Sequence, residues 1–342
     1  MKDSRPTSLD IAYRAGVSQS TVSRALRDSP LVSLETREKI KAIARELNYK
    51  VDKAASNLRA KSSRTLALLI REDPTTDESH INPFFLSMLG SITRATAARG
   101  YDLLVTFQQQ SDDWHRDFED SHRADGLILL GYGAYDSYVE RLRHLLEEGA
   151  HFISWGAVHS NQPGCSIGCD NEAGGYLAGQ HLLGLGRRRI AFVGDTSDNS
   201  PEFSGRYRGF CRALQEHGLS HSPELLVAAE TIETLGYEAV EKLLEKNVAF
   251  DAIFAASDLI AIGAIRALQK RGMAVGASVS VVGFDDIQSA AYITPSLTTI
   301  RQDTNLAGAM LVENLLRIVA GEAVGSTLLE PKLIVRESCG AA

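Results

Sequence analysis

From Thr65 onward, short apolar runs alternate with longer stretches of helical period, and this alternation is what most limits the possible folds. Seven runs read as strands: 66–70, 101–107, 126–130, 151–155, 189–194, 252–256 and 278–283. Between them, 85–99, 172–185, 205–217 and 258–271 repeat apolar residues every three to four positions, often running out into a glycine such as Gly100, Gly218 or Gly272. Such alternation builds doubly wound parallel sheets, an α/β architecture. The 278 residues after Arg64 suit two lobes better than one.

The first 64 residues are of another kind. They hold 14 Lys/Arg against 7 Asp/Glu, a net of +7, whereas the remainder holds 22 against 36, a net of −14. The overall charge of −7 hides a basic module joined to an acidic body. A basic segment suits a polyanion, although a solvated basic surface with no partner gives the same charge. The head reads as three short helices. Thr7-Ser8 precedes Leu9-Asp10, a helix start with an acid in its first turn, and Gly16 ends that helix before Ser18 caps the next. In 19–26, Val22, Ala25 and Leu26 form an apolar stripe at i, i+3 and i+4, leaving Gln19, Ser20, Ser23 and Arg24 outward. A third helix runs from Ser33 to near Asn48-Tyr49.

Two helices joined through a Gly-containing turn, the second with a polar outer face, have the geometry of a helix-turn-helix. In a major groove, Gln can read adenine and Arg guanine, while Ser18, Ser20 and Ser23 can reach phosphates or bases. A small structural three-helix domain is the bland alternative. Residues 51–64 are polar and basic around one large apolar side chain, Leu58, and in isolation read as a solvated linker.

The head closely resembles the DNA-binding domain of the lactose-repressor (LacI/GalR) family. The resemblance is carried by Ser8-Leu9-Asp10-Ile11-Ala12, Ala15-Gly16-Val17-Ser18, Thr21-Val22-Ser23-Arg24-Ala25-Leu26, Val32-Ser33, Thr36-Arg37 and Glu46-Leu47-Asn48-Tyr49. It implies DNA contacts from Thr7, Ser18, Gln19, Ser20, Ser23 and Arg24, with Gln19 and Ser20 at the positions that distinguish operators. It also implies that 51–64 is a hinge helix ordered on DNA. Two Leu58 side chains, one per subunit of a homodimer, would then wedge the centre of a pseudo-palindromic operator beside Arg59. The hinge departs from the family pattern, with Val51-Asp52 after the Tyr and Ser56 where an Arg is common, though Lys53, Arg59 and Lys61 keep it positive.

In the body, Ala255-Ala256-Ser257-Asp258 and Gly283-Phe284-Asp285-Asp286 set carboxylates beyond apolar strands, and Arg206 falls near a helix start. Ligands of open α/β sheets bind beyond the strands' carboxyl ends, where such groups suit sugar hydroxyls. An Asp after a strand is also a common helix cap, and Asp258 can be both. The resemblance continues through Asn82-Pro83-Phe84-Phe85, Cys169-Asp170-Asn171, Gly186-Arg187-Arg188-Arg189 and Pro295-Ser296-Leu297-Thr298. It implies a two-lobed, periplasmic-binding-protein-like effector domain whose ligand positions are Phe84, Phe85, Trp155, Arg206, Asp258 and Asp285. The organisation is then a helix-turn-helix domain (1–50), a hinge (51–64) and an effector and dimerisation domain (65–342). Its N-lobe would be 65–166 with 292–322 and its C-lobe 167–291 with 323–342, with crossings near 167–170, 287–295 and 321–327.

Within the family, Trp155 resembles a purine repressor's Trp, but Thr231 and Ser200 stand where that repressor has a second aromatic and an Arg. A sugar or glycoside effector is therefore expected, with a purine as the alternative. Trp155 and Phe84-Phe85 can also be plain core. The acidic stretch 71–80 is expected at a lobe edge near the pocket mouth. Because the C-terminus carries no Leu heptad tail, a dimer is expected rather than a tetramer.

The usual catalytic signatures are missing. There is no P-loop, no His-Glu-x-x-His and no Gly-x-Ser-x-Gly, and Gly131-Tyr132-Gly133 is only a fragment of a dinucleotide fingerprint. Cys165 and Cys169 lack zinc-ligand partners at zinc spacing, so no metal and no cofactor are expected. No apolar run approaches a membrane span, and no apolar stretch follows the charged first residues, which makes the cytoplasm the expected compartment. The reading is a ligand-gated transcriptional repressor of carbohydrate-use genes, not an enzyme. A sugar-sensing protein whose head no longer binds DNA is the alternative from another class.

Overall fold

The computed structural model describes residues 6–49, 62–72, 81–159 and 162–341. The chain forms two compact units, 1–63 and 64–342.

In the first unit, α1 (Ser8–Ala15), α2 (Gln19–Leu26) and α3 (Leu34–Glu46) close over a small core of Ile11, Ala15, Val22, Ala25, Ile40 and Ala44. Each helix begins on a hydroxyl cap. Thr7 and Asp10 form a reciprocal capping box, and Ser18 and Ser33 accept the N–H of Thr21 and Thr36. Gly16 ends α1 at φ +73°, a left-handed conformation that costs a glycine little. A core this small leaves much of the helix surface open. That surface includes Leu9 and Tyr13 on α1, the latter 91% exposed.

The second unit contains two six-stranded sheets. One has the order β11-β5-β4-β3-β1-β2, all parallel, from β1 (Thr65–Ile70), β2 (Asp102–Phe107), β3 (Leu127–Leu130), β4 (Phe152–Trp155), β5 (Cys165–Cys169) and β11 (Thr327–Leu329). The other has the order β12-β10-β9-β8-β6-β7, from β6 (Ile190–Val193), β7 (Leu226–Val227), β8 (Ala252–Ala255), β9 (Ser280–Asp285), β10 (Thr298–Arg301) and β12 (Lys332–Ile334). Among the described residues, only β12 runs antiparallel to its neighbour. The central strands are buried along their length, as a sheet covered on both faces requires. The N-lobe carries α4 (Pro83–Ala98), α5 (Tyr135–Glu147) and α10 (Thr304–Val319). The C-lobe carries α6 (Asn171–Gly184), α7 (Pro201–Glu216), α8 (Glu233–Glu245) and α9 (Asp258–Lys270).

The sheet registers move the expected lobe boundaries. Cys169 pairs within the first sheet, so the first crossing comes at Asp170, at the end of the expected 167–170 span, and the N-lobe runs on past 166. The second lies at 302–303 instead of 287–295, because Thr298 pairs with Val282 and β10 completes the C-lobe sheet before the chain returns through α10. The third lies at 330–331 instead of 321–327, because Thr327 pairs with Ile167. The places of these short strands are decided by pairing partners remote in sequence, which local periodicity does not show.

Close approach of backbones fixes the C-lobe helices. A Cβ on Gly175 would sit 1.9 Å from the Arg206 carbonyl oxygen, and one on Gly209 would sit 1.9 Å from that of Glu172. Only glycines let α6 and α7 cross here, and the crossing sets the position of Arg206.

Candidate functional site

On the head, α2 presents Gln19, Ser20 and Arg24 to solvent. The Arg24 side chain has no hydrogen-bond or ion-pair partner among the described residues, so its guanidinium is available to a ligand. Gln19 donates from Nε2 to Ser8 Oγ at 2.7 Å, which ties the start of α2 to α1 and orients the amide. The exposed hydroxyls of Thr7 and Ser18 are occupied in capping, and Ser18 Oγ also lies 2.8 Å from Ser20 Oγ. Ser23 is half-buried and accepts from Arg27 Nη2 at 3.0 Å. The outward set read from sequence is thus present on one helix, with Ser23 the least open. Leu58 and Arg59 lie outside the described residues, as does most of the 71–80 stretch.

Between the lobes lies a cavity of about 520 Å³ at the carboxyl ends of the strands, where doubly wound sheets place ligands. Phe84, Phe85, Trp155, Arg206 and Asp285 line it, as expected. Pro83 starts α4 under an Asn82 cap, whose Oδ1 accepts from Phe84 N at 2.9 Å, and Phe84 packs against Trp155 with centroids 5.9 Å apart. Trp155 is the last residue of β4, so its indole is both core and cavity wall.

Arg206 anchors the C-lobe side. It is 4% exposed and lies over Phe284, its guanidinium carbon 3.7 Å from the ring centroid. Its Nε donates to Asn171 Oδ1 at 2.9 Å, Nη1 donates to the Ala256 carbonyl, and Asp285 Oδ1 stands 3.7 Å away. Asp285, at the end of β9, adopts φ +120°, a conformation rare for an L-residue, and also accepts from Gln302 Nε2 at 2.7 Å. Burial pushes the Asp285 carboxyl up to about 6, with Arg206 and Gln302 pulling the other way.

Asp258 is not at the cavity. It is 0% exposed, beneath the floor, and the helix cap is its neighbour Ser257. Asp258 instead accepts from Ile287 N at 2.8 Å and Thr299 Oγ1 at 2.5 Å, tying α9 to the segment after β9 and to β10. Burial first, and then the charge of Asp285, hold its carboxyl well above the ordinary range. Its place after a strand made it look like a ligand group, but its two bonds hold the carboxylate in the interior, off the cavity.

The lining also contains residues not assigned from sequence. Asn171 follows the first crossing, and Asp195 follows β6. Burial works against the Asp195 carboxylate, but hydrogen bonds from Ser197 N (2.9 Å), Ser200 Oγ (2.7 Å) and Ser197 Oγ (2.8 Å) outweigh it and hold the group below its usual range. Tyr132, in the Gly131-Tyr132-Gly133 turn after β3, donates across the cleft to Glu202 in the first turn of α7. Burial, together with the Glu202 charge, pushes the phenol far above its ordinary value, so it stays a donor. The clue available in sequence was positional, since each of these follows a strand or opens a helix. A larger cavity of about 760 Å³ draws only on residues 188–249 of the C-lobe, and its His221 is already engaged by Tyr207 Oη and the Ile190 carbonyl.

Among the described residues, no group of three or more His, Cys, Asp or Glu could hold a metal ion, and no helix is long and apolar enough to cross a membrane.

Residues 7–52 match the model of bacterial regulatory proteins of the lacI family, and 180–339 match that of a periplasmic binding protein-like domain. The HTH-type transcriptional repressor PurR of Serratia proteamaculans is 31% identical over 340 residues, covering 96% of this chain and 95% of the relative. The solved lac repressor dimer bound to operator and the anti-inducer ONPF superposes with a TM-score of 0.83 at 27% identity, covering 99% of this chain and 100% of that one. The transcriptional regulator CelR in complex with cellobiose gives a TM-score of 0.71 at 29% identity, over 98% of this chain and 100% of that one. With a curated repressor aligned along almost its whole length, the chain belongs to the LacI family of DNA-binding transcriptional repressors, its body the family's periplasmic-like ligand-binding domain.

Proposed function

We propose that the chain acts as a homodimer on a pseudo-palindromic operator and that a neutral sugar or glycoside bound between the lobes sets its operator affinity. The observation that carries the carbohydrate reading is the chemistry of the cavity wall. Arg71 and Arg206 face four carboxylates, Asp195, Glu202, Glu230 and Asp285, with the amides of Asn171 and Gln302 among them. Carboxylates and amides pair with hydroxyls, and Trp155 with Phe84 offers an apolar wall for a sugar face. The excess of acid disfavours phosphorylated or acidic effectors.

A purine effector is the second reading, because curated relatives carry the name PurR. Against it, Thr231 and Ser200 both lie in the cavity lining, where a second ring and an extra guanidinium would be wanted for a flat base. We infer a regulatory and not an enzymatic role, exercised in the cytoplasm, a reading that the curated repressor relatives support. By linkage, the effector shifts operator affinity only through its preference between two lobe arrangements.

Thermal unfolding of the purified protein against mono-, di- and trisaccharides and against hypoxanthine and guanine tests the reading, since a ligand of the native state raises the midpoint. A shift with a carbohydrate is expected, and a shift with a purine alone overturns it.

A further inference from the structure

The cleft holds a second chamber. Beside the 520 Å³ cavity is another of about 700 Å³, also walled by both lobes, and both volumes fall within the roughly 300–1,000 Å³ typical of small-ligand pockets. The two are built from opposite faces of the same segments. On α7 and the residues before it, Asn199, Glu202 and Arg206 face the inner cavity, whereas Pro201, Ser204 and Arg208 face the outer one. Each set is spaced by three or four residues, as one side of a helix requires. On the N-lobe, Tyr132 faces inward and Tyr135, three residues later at the start of α5, faces outward, their rings edge to face at 5.3 Å. On the inner side, Tyr132 and Glu202 join the two lobes through a hydrogen bond across the cleft, close in sequence to Tyr135 and Pro201 of the outer set.

We propose that the outer chamber is a second subsite for the effector, so that the ligand is a di- or oligosaccharide with one unit in the inner cavity and the next against Tyr135. The inference rests on the carbohydrate reading above and extends it. Tyr135 is half-buried, and its Oη donates to Gln162 Oε1 at 3.2 Å, while His159 meets it edge-on at 6.0 Å. The ring is therefore held in place, as a platform for a sugar face must be. Opposite it, the Asp198 carboxylate has no hydrogen-bond or ion-pair partner among the described residues, and Arg208 has only a distant one, Glu172 at 3.9 Å. An acceptor and a fork-shaped donor thus line the chamber with capacity to spare for hydroxyls. The bond across the cleft joins a phenol and a carboxylate, and the hydroxyls of a sugar unit lying there can replace it by accepting from Tyr132 and donating to Glu202. A ligand crossing at Tyr132 and Glu202 therefore leaves neither polar group unpaired.

The test is calorimetric titration of the full chain with glucose, maltose, maltotriose, cellobiose, cellotriose and sucrose, repeated on Tyr135→Ala and Asp198→Ala. Asp198 is exposed and unpartnered, so its variant keeps the fold even where the Tyr135 variant does not. A di- or trisaccharide is expected to bind about tenfold tighter than its monosaccharide, and either substitution is expected to remove most of that advantage while leaving monosaccharide affinity unchanged. A monosaccharide that binds as tightly as its oligomers, indifferent to both substitutions, overturns the second subsite and leaves the carbohydrate reading standing. If no carbohydrate binds and hypoxanthine does, both fall.

Discussion

Replacing Arg206 with Met isolates the charge that the cavity floor depends on. Arg206 and Asp285 are 5% and 9% exposed at the side chain and 3.7 Å apart, and removing one partner of such a buried pair costs on the order of 3–5 kcal/mol. The cost divides into a pH-independent and a pH-dependent part. The bonds to Asn171 Oδ1 and the Ala256 carbonyl and the contact with the Phe284 ring are lost at any pH. The charge part depends on Asp285, whose folded value is raised to about 6 in the parent. A raised folded value means that its contribution is most favourable below the unfolded value, about 4, and is lost as pH climbs through the folded one. The parent therefore gives up roughly 3 kcal/mol between pH 4 and 6 and nothing more above it.

Without the guanidinium the carboxyl stays protonated to higher pH, and holding it neutral costs the fold roughly 1.4 kcal/mol more for each further pH unit. The destabilisation of Arg206→Met should then be greater at pH 8 than at pH 5 by on the order of 2–3 kcal/mol, or roughly 2–4 °C of midpoint for each kcal/mol. Urea unfolding of parent, Arg206→Met and Arg206→Met/Asp285→Asn at pH 5 and 8 measures it. In the double variant the pH-dependent part should vanish. A loss of equal size at both pH values would refute the argument that Arg206 stabilises by holding Asp285 ionised.

Further outcomes follow from the same geometry. Asp285→Asn alone should flatten the fall in stability between pH 4 and 6 and remove effector-induced stabilisation, and an unchanged pH profile by urea unfolding would contradict the placement of its titration. Asp258→Ala leaves the Ile287 N–H and the Thr299 hydroxyl unpaired and should cost about 2–5 kcal/mol in unfolding free energy. Its effector affinity by calorimetry should stay within about threefold, because the group lies off the cavity. On the head, Gln19→Ala should change the order of preference among operator variants in fluorescence anisotropy, at about 1–3 kcal/mol for the base it reads. Leu58→Ala should weaken binding to the specific operator with little effect on effector affinity, and an operator affinity equal to the parent's would speak against a wedge.

Local signals made the head and most central strands legible. Val22, Ala25 and Leu26 at helical spacing bury one side of α2, while Ser18 and Gly16 mark ends with side-chain and backbone chemistry that acts within three residues. The runs at 66–70 and 252–256 are apolar throughout because they sit between covered faces. What eluded sequence reasoning was decided over long range. The strand at 298–301 is a C-lobe strand only because Val282 and Gly283 accept it as a neighbour. Asp285 ends β9 and Asp258 opens a helix three residues past β8; bonds from Ile287 N and Thr299 Oγ1 hold Asp258 in the interior, while Asp285 stands at the cavity. Tyr132 was visible only as the middle of a Gly-x-Gly fragment, and its bond to Glu202 joins residues 70 positions apart.

The central claim is that occupancy of the cleft is read out as operator affinity. Its most direct test is an anisotropy titration of a pseudo-palindromic operator duplex, with and without saturating amounts of whichever carbohydrate raises the unfolding midpoint, in the parent and in Asp285→Asn. The account predicts a change in operator dissociation constant of about 5–150-fold in the parent and none in the variant. An operator affinity that the bound carbohydrate leaves unmoved would contradict it.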